Sequence, residues 1–270
     1  MLKLLTVAGS DSSGGAGIQA DLKTFQELGC YGMSSLTVMV AMNPNGWTHS
    51  KFPIEPKAVQ AQMFTALDGV GISAMKTGML PTAEIITLVA ETVKDRNVPF
   101  LVVDPVMVCK GANEPLYPEN TDAYKQSLVP LATVVTPNLF EASQLSGIET
   151  IATEDDMKEA AKRIHALGAK AVIIKGGKGI STTEAIDILY DGIDFCVYRV
   201  PKFTDKYTHG AGCTFSAALT AGLAKGHSLR DSVTLAKSFV TAGIEHSFPL
   251  NNYVGPLDHS AWKRNSCGKH

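Results

Sequence analysis

Short runs of apolar, often β-branched residues alternate along the chain with longer segments in which apolar residues recur every three or four positions. A short apolar run is typical of a strand covered on both faces, and the longer period is typical of an amphipathic helix. Because strands and helices alternate, the pattern predicts βαβ units and a parallel sheet. The predicted strands are Leu4–Ala8, Leu36–Ala41, Ile72–Lys76, Phe100–Val103, Thr133–Val135 and Ala171–Ile174, and the predicted helices are Gly17–Leu28, Pro56–Asp68, Pro81–Asp95 and about 154–167.

The pattern changes near residue 185. Two alternating segments, Ala185–Tyr190 and Phe195–Val200, are joined by Asp191-Gly192, which predicts a β-hairpin. Neither a repeat nor a linker interrupts the chain, so we predict a single domain over residues 1–270. The remaining predicted features are helices at about 211–225 and 229–246, a surface loop with Trp47 and His49, and a poorly ordered tail at Lys263–His270.

The composition excludes several classes of protein. The 270 residues include 24 Lys and Arg against 26 Asp and Glu, so there is no excess of positive charge to attract a nucleic-acid backbone. The five cysteines lack the spacing of a zinc or redox motif, which is typical of a reducing compartment. No apolar stretch approaches the roughly 20 residues that a membrane span requires. We therefore expect a cytoplasmic protein with neither a nucleic-acid nor a membrane partner.

Polar or flexible residues follow each predicted strand. The carboxyl ends of parallel strands meet at one edge of a sheet, where α/β proteins bind their ligands. We therefore expect these six segments to line one crevice. They are Gly9-Ser10-Asp11, Met42-Asn43, Lys76-Thr77-Gly78, Asp104, Thr136-Pro137-Asn138 and Lys175-Gly176-Gly177.

The segment Thr208–Ser216 opens a helix of small residues. Its glycines let the backbone approach a ligand closely, and the unpaired N–H groups of the first helical turn form a site suited to phosphate. Close packing of the helix on the sheet is the alternative. Cys213 lies inside this site, where a thiol ionises more readily and can accept a proton or act as a nucleophile. It could instead be a small buried apolar side chain.

Asn138 and Glu141 stand three positions apart where a helix begins, so both side chains share one face. An amide and a carboxylate there could hold hydrated Mg²⁺, which prefers oxygen ligands and keeps several waters. The alternative is a solvated first turn in which the helix dipole favours the glutamate.

Two nucleotide motifs are incomplete. The segment Gly15–Ala20 matches the dinucleotide fingerprint, but Met42-Asn43-Pro44 stands where a ribose-binding acid would follow the second strand. Hydride transfer is therefore a remote alternative. The interval from Gly9 to Gly14 has P-loop spacing, but Gly15 replaces the lysine.

Together these segments resemble the ThiD-like vitamin kinases of the ribokinase superfamily, in the family's order and over about residues 4–246. The resemblance implies a ribokinase-like three-layer αβα sandwich with a mostly parallel central sheet and a late β-hairpin. It also implies an ATP-dependent, Mg²⁺-using kinase that forms a homodimer. Its small-molecule substrate would be hydroxymethylpyrimidine or a B6 vitamer. The segments that carry the resemblance are Ala8–Lys23, Lys76–Met79, Asp104–Met107, Thr136–Glu141, Lys175–Gly177 and His209–Cys213.

The resemblance also implies roles for individual residues. Cys213 would be the general base within an anion hole, and Glu141 would hold the metal. The anion hole comprises Gly210, Ala211, Gly212 and Cys213. The nucleotide site comprises Asn138, Glu141, Lys175, Gly176, Gly177, Lys178, Gly179, Asp187 and Gly212. The substrate site comprises Gly9, Asp11, Gly17, Met42, Met79 and Cys109.

Two residues favour a B6 vitamer. Met42 stands where pyrimidine-specific relatives usually carry glutamine or glutamate, and a thioether cannot pair with the amino group of a pyrimidine. Cys109 could add to the aldehyde of pyridoxal as a hemithioacetal while its loop closes as a lid, or Lys110 could form a Schiff base. An incidental cysteine and drift at position 42 are the alternatives. We expect a pyridoxal, pyridoxine and pyridoxamine kinase. The other candidates are a hydroxymethylpyrimidine or hydroxymethylpyrimidine-phosphate kinase of thiamine biosynthesis and a non-catalytic sensor.

Overall fold

The computed structural model describes residues 1–96, 98–107, 119–177 and 179–267. Cys109, Lys110 and Lys178, to which the sequence assigns roles, lie outside these residues. The described chain forms two compact units. Unit 1 holds residues 1–80, 98–100 and those from 203 onward, and unit 2 holds the remainder.

The secondary structure alternates as the sequence predicts. The strands are β1 (Lys3–Asp11), β2 (Tyr31–Met42), β3 (His49–Pro53), β4 (Ala74–Thr77), β5 (Leu101–Val103), β6 (Val134–Val135), β7 (Val172–Lys175), β8 (Glu184–Tyr190) and β9 (Phe195–Pro201). The helices are α1 (Gly17–Glu27), α2 (Pro56–Phe64), α3 (Ala83–Lys94), α4 (Glu119–Ala123), α5 (Leu139–Ser146), α6 (Glu154–His165), α7 (Ala211–Ala224), α8 (Leu229–Glu245) and α9 (Ala261–Cys267).

Unit 1 is built on the strand order β3-β2-β1-β4. β1 pairs in parallel with β2 and β4, while β3 pairs antiparallel with β2. Helix α7 packs against α1, α8 and β4, and its residues Thr214–Leu223 are all buried. The small side chains of α7 permit this burial, because they let the neighbouring helices and strand approach its backbone closely. A side chain at Gly222 would lie 2.9 Å from Ser232 Oγ of α8. The close packing that the sequence analysis gave as an alternative is therefore present along the body of this helix.

Unit 2 has the strand order β5-β6-β7-β8-β9. The first three strands are parallel, and β8 and β9 form the predicted antiparallel hairpin. Helix α6 begins with a capping box: Thr153 Oγ1 accepts from the Asp156 N–H at 3.1 Å, and the Asp156 carboxylate accepts from the Thr153 N–H at 2.9 Å. The predicted α/β class, with a mostly parallel sheet and a late hairpin, is confirmed.

One local prediction is wrong. His49 does not lie in a surface loop but begins β3, because residues 49–53 pair with Val38–Met42 of β2. Helix α9 spans Ala261–Cys267, and the poorly ordered tail at Lys263–His270 stays a prediction. Among the described residues, no helix combines the length and the apolar character that crossing a membrane would require.

Candidate active site

In unit 1, β1 ends at Asp11, whose carboxylate organises the β1–α1 turn (Ser12–Ala16). Asp11 Oδ1 accepts from the Ser13 N–H at 2.8 Å and from the Ser13 hydroxyl at 2.7 Å. Asp11 Oδ2 accepts from the Ala16 N–H at 2.8 Å. The backbone N–H of Asp11 in turn donates to Gln19 Oε1 at 3.0 Å. The sequence assigns Asp11 to the substrate site, and the structure shows that its carboxylate is engaged in shaping the turn.

His209 completes the environment of Asp11. Its Nε2 lies 2.7 Å from Asp11 Oδ2, and the two side chains are 13% and 8% exposed. Burial alone would raise the pKa of Asp11, but the hydrogen bonds from His209 and Ser13 outweigh it and lower that pKa to about 2. The sequence interpretation gave His209 no role. The available signal was an acid at the end of β1 and a histidine immediately before a glycine-rich helix start.

The helix start that follows His209 is the anion turn (Gly210–Cys213). Gly210 adopts a φ of 83°, and a Cβ there would overlap the carbonyl oxygen of Gly15. Only glycine meets both conditions without strain. Gly210 is the N-cap residue and has no side chain with which to cap this end of α7. Cys213 is the third residue of the helix and its side chain is half-buried. The structure thus brings the anion turn against the β1–α1 turn.

The C-terminal part of unit 1 anchors the same helix. Thr214 Oγ1 lies 3.0 Å from Nε2 of the buried His259. Burial, followed by the nearby ammonium of Lys23, lowers the pKa of His259 to about 4. The neutral ring therefore shares a hydrogen bond with the Thr214 hydroxyl, and the tautomer of His259 decides which group donates.

His259 makes folding stability dependent on pH. Its pKa is about 4 in the folded protein and near 6.5 in the unfolded chain, so the unfolded chain binds more protons between these values. Stability is expected to fall as pH drops from about 6.5 to 4, by up to about 3 kcal/mol. Thermal unfolding of wild type and His259→Gln across this range checks it, because the glutamine variant should lack this part of the pH dependence. Parallel curves for the two proteins would contradict it.

Of the other predicted substrate residues, Gly17 lies beside Gly9 and Asp11, and Met79 lies beside Gly9. Gly17 has a φ of 58°, and a Cβ there would overlap the Gly9 carbonyl oxygen. A Cβ at Gly9 would lie 3.6 Å from Met79 Cβ. Met42 ends the neighbouring strand β2, half-buried. These four residues therefore lie at the ends of adjoining strands or of the helix that follows.

The position of Lys76 contradicts the prediction that its segment lines the crevice. Its side chain is 0% exposed and its Nζ lies 2.8 Å from Asp21 Oδ1, which is equally buried. The hydroxyl of Thr6 donates to the other Asp21 oxygen at 2.6 Å. A buried ammonium requires such a partner, so Lys76 holds α1 to β4 and does not line a solvent-accessible crevice.

In unit 2, a second polar cluster surrounds Asp104. Lys175 Nζ lies 2.8 Å from Asp104 Oδ1, and the Thr136 hydroxyl donates to the same oxygen at 3.4 Å. Asn138 and Glu141 form a capping box at the start of α5, with hydrogen bonds of 2.9 and 2.8 Å. Glu141 Oε1 also accepts from the Met107 N–H at 3.4 Å. The solvated first turn considered as an alternative is wrong, because Glu141 is only 3% exposed.

The electrostatics of this cluster suit a cation. Burial raises the pKa of Glu141 to about 7, with Lys175 opposing and Asp104 adding to the effect. Two buried carboxylates thus share one ammonium, and their oxygens are the ligands that Mg²⁺ prefers. No trio of His, Cys, Asp or Glu forms a metal cage within the described part of the chain. The residues present nevertheless fit hydrated Mg²⁺, which needs only one or two carboxylates when phosphates supply the rest.

The loop after β7 is fixed by Asp187 of β8. The Gly176 N–H lies 3.1 Å from Asp187 Oδ1 and donates to the Ile186 carbonyl at 2.9 Å. The Gly179 N–H donates back to the Gly176 carbonyl at 2.9 Å. Asp187 is 5% exposed, so its carboxylate binds the backbone of the loop and has little contact with solvent. The structure therefore gathers the predicted nucleotide residues that it describes in unit 2, apart from Gly212. The prediction that one crevice serves both clusters stays a prediction.

Comparison with known proteins identifies the family. The family model for phosphomethylpyrimidine kinase matches residues 11–258. A pyridoxine kinase of Bacillus subtilis is 59% identical over 266 residues, covering 98% of each chain. A hydroxymethylpyrimidine/phosphomethylpyrimidine kinase of the same organism is 42% identical over 264 residues, covering 98% of this chain and 97% of that one.

A solved structure shows the same fold. The pyridoxal kinase of Staphylococcus aureus in complex with AMP-PCP and pyridoxal superimposes with a TM-score of 0.92 at 48% identity, covering 98% of this chain and 95% of that one. The resemblance inferred from the sequence is confirmed. The chain belongs to the phosphomethylpyrimidine kinase family.

Proposed function

We propose that this protein transfers the γ-phosphoryl group of ATP to the 5′-hydroxyl of the B6 vitamers pyridoxal, pyridoxine and pyridoxamine. The observation that carries the proposal is the 59% identity to a pyridoxine kinase, against 42% to a hydroxymethylpyrimidine kinase from the same organism. The related kinase crystallised with pyridoxal and the ATP analogue AMP-PCP supports this pair of substrates.

Unit 1 serves the acceptor alcohol in this proposal. Cys213, as a thiolate, accepts the hydroxyl proton while the alcohol oxygen attacks the γ-phosphorus. The bond to the β-phosphate oxygen breaks and ADP leaves. The N–H groups of the anion turn hold the migrating phosphoryl group, since phosphoryl transfer depends on positioning and charge stabilisation. Gly9, Gly17, Met42 and Met79 border the vitamer, and Asp11 acts through the β1–α1 turn.

Unit 2 serves the nucleotide. Lys175 offers positive charge to the phosphates, and the loop Gly176–Gly179 with Asp187 supports the rest of ATP. Glu141, with Asp104 beside it, would hold Mg²⁺ together with Asn138. The ion supplies positive charge that offsets the charge on the phosphates. We also infer a cytoplasmic homodimer of single-domain chains from the resemblance, and sedimentation of the purified protein tests the dimer.

Steady-state rates on pyridoxal and hydroxymethylpyrimidine, measured side by side with Mg·ATP, test the proposed function. We expect the larger kcat/KM on pyridoxal. The alternative, a hydroxymethylpyrimidine/phosphomethylpyrimidine kinase, is favoured by the family description and by the 42% relative. Turnover of the pyrimidine alone would establish the alternative, and nucleotide binding without any ADP release would establish a sensor.

Met42 provides a prediction on specificity. Met42→Gln introduces an amide that can pair with the amino group of the pyrimidine. We expect the ratio of kcat/KM on hydroxymethylpyrimidine to that on pyridoxal to rise by about 3- to 10-fold, the worth of one net hydrogen bond. Met39→Gln is the matched control, because Met39 lies on the same strand but is 46% exposed. An unchanged ratio in Met42→Gln would remove Met42 from the substrate site.

A further inference from the structure

His209 is held from three directions immediately before the anion turn. Its Nε2 contacts Asp11 Oδ2 at 2.7 Å. Its backbone N–H donates to the Gly255 carbonyl at 3.3 Å. The edge of its ring lies against Gly15, where a Cβ would overlap the imidazole Cδ2. The side chain is therefore fixed by the β1–α1 turn and by the C-terminal part of unit 1.

Asp11 has no acceptor capacity left for a ligand. Its two oxygens take four hydrogen bonds, two from Ser13, one from Ala16 and one from His209. A carboxylate offers about four acceptor sites in all. The acceptor sites of Asp11 are therefore all used in joining the β1–α1 turn to the residue before the anion turn. Asp11 and His209 stand 198 residues apart in the chain.

We propose that the Asp11–His209 pair is a latch that fixes the anion turn for phosphoryl transfer, which makes His209 a positioning residue of the active site. His209 immediately precedes Gly210, whose carbonyl accepts the Thr214 N–H at 2.9 Å in the first turn of α7. A displacement of His209 therefore passes to the N–H groups of the turn and to the Cys213 sulfur. The kinetic consequence rests on the proposed function, whereas the latch itself does not.

Kinetics of latch variants provide the first test. His209→Ala is expected to lower kcat by about 10- to 100-fold, the cost of misplacing a reacting group by about 1 Å, with a much smaller change in KM. His209→Gln keeps a donor for Asp11 and should recover part of the loss. In a double-mutant cycle, Asp11→Asn with His209→Ala should lose no more than the worse single variant, because both break the same contact. Asp156→Asn and His165→Ala are matched controls in unit 2 and should keep wild-type kcat.

Alkylation of Cys213 provides a second test that needs no substrate. Wild type and His209→Ala are treated with iodoacetamide at one pH, and the labelling rates of the Cys213 and Cys30 peptides are followed by mass spectrometry. Cys30 is 2% exposed in unit 1 and reports general loosening of that unit. We expect the Cys213 rate to rise several-fold in the variant relative to the Cys30 rate, since the turn opens locally.

The outcomes separate the latch from the proposed function. A raised ratio of Cys213 to Cys30 labelling supports the latch even if the wild-type protein fails to phosphorylate pyridoxal, which would overturn only the proposed function. Equal acceleration at both cysteines shows a merely structural role and overturns the latch. An unchanged labelling ratio together with an unchanged kcat also overturns it.

Discussion

Cys213→Ala is expected to lower kcat by about 10²- to 10⁴-fold, the usual worth of general base catalysis. Alanine keeps the helix start and removes the sulfur that accepts the alcohol proton. KM for ATP should change little, because the nucleotide residues are other side chains. Steady-state kinetics with pyridoxal, together with thermal unfolding to show that the variant is folded, measure the effect.

Two further variants sharpen this prediction. Cys213→Asp keeps a side chain that can accept a proton at this position, so it should retain more activity than Cys213→Ala. Cys196→Ala is the matched control, because Cys196 is a half-buried cysteine of β9 outside both clusters. A near-normal kcat in Cys213→Ala would show that the base lies elsewhere.

Gly210→Ala is expected to lower kcat by about 100-fold, since the anion turn must shift by roughly 1 Å to admit a methyl group. The residue adopts a φ of 83°, and the added Cβ would overlap the Gly15 carbonyl oxygen. Phosphoryl transfer loses rate because the N–H groups of the turn no longer point at the migrating group. The measurement is kcat with saturating pyridoxal and ATP.

Gly226→Ala is the control for backbone strain. Gly226 follows the other end of α7 with a φ of 81°, and a Cβ added there would meet no atom of the described residues within 4 Å. Gly226→Ala should lose about 1–2 kcal/mol of stability, the cost of a left-handed conformation for a residue with a side chain. Gly210→Ala should lose more, because its Cβ also overlaps the Gly15 carbonyl oxygen. Only Gly210→Ala should lose kcat. Equal kinetic losses in the two variants would assign the effect to strain in α7 and not to the anion turn.

The elements that the sequence predicted well are those whose signals are local. The apolar run of Phe100–Val103 becomes β5 at Leu101–Val103, and the turn at Asp191-Gly192 joins β8 to β9. The start of α6 was predictable because Thr153 and the acids that follow it form its capping box. β3 escaped prediction because His49–Pro53 is largely exposed and exists through its hydrogen bonds to β2. Such pairing is decided by a distant segment and leaves no pattern in the strand itself.

The candidate site likewise combines local features that the sequence predicts with long-range contacts that it does not. The glycines of the anion turn and the Asn138–Glu141 spacing are local, and each predicted the start of the correct helix. The partner of Asp11 was not predictable, because 198 residues separate it from His209. The burial of Lys76 was also missed, since only tertiary packing brings Asp21 to its ammonium. The assignments to Cys109 and Lys178 stay predictions.

The contacts of Gly255 and His259 with the start of α7 have a consequence for biosynthesis. A nascent chain emerging from the ribosome can pair β1, β2 and β4 early, but it cannot secure α7 until residues 255–259 have left the exit tunnel. Competence for phosphoryl transfer therefore arises only after residues 255–259 have been translated and released. A stalled chain ending before residue 255 should form much of the unit 1 sheet and remain inert.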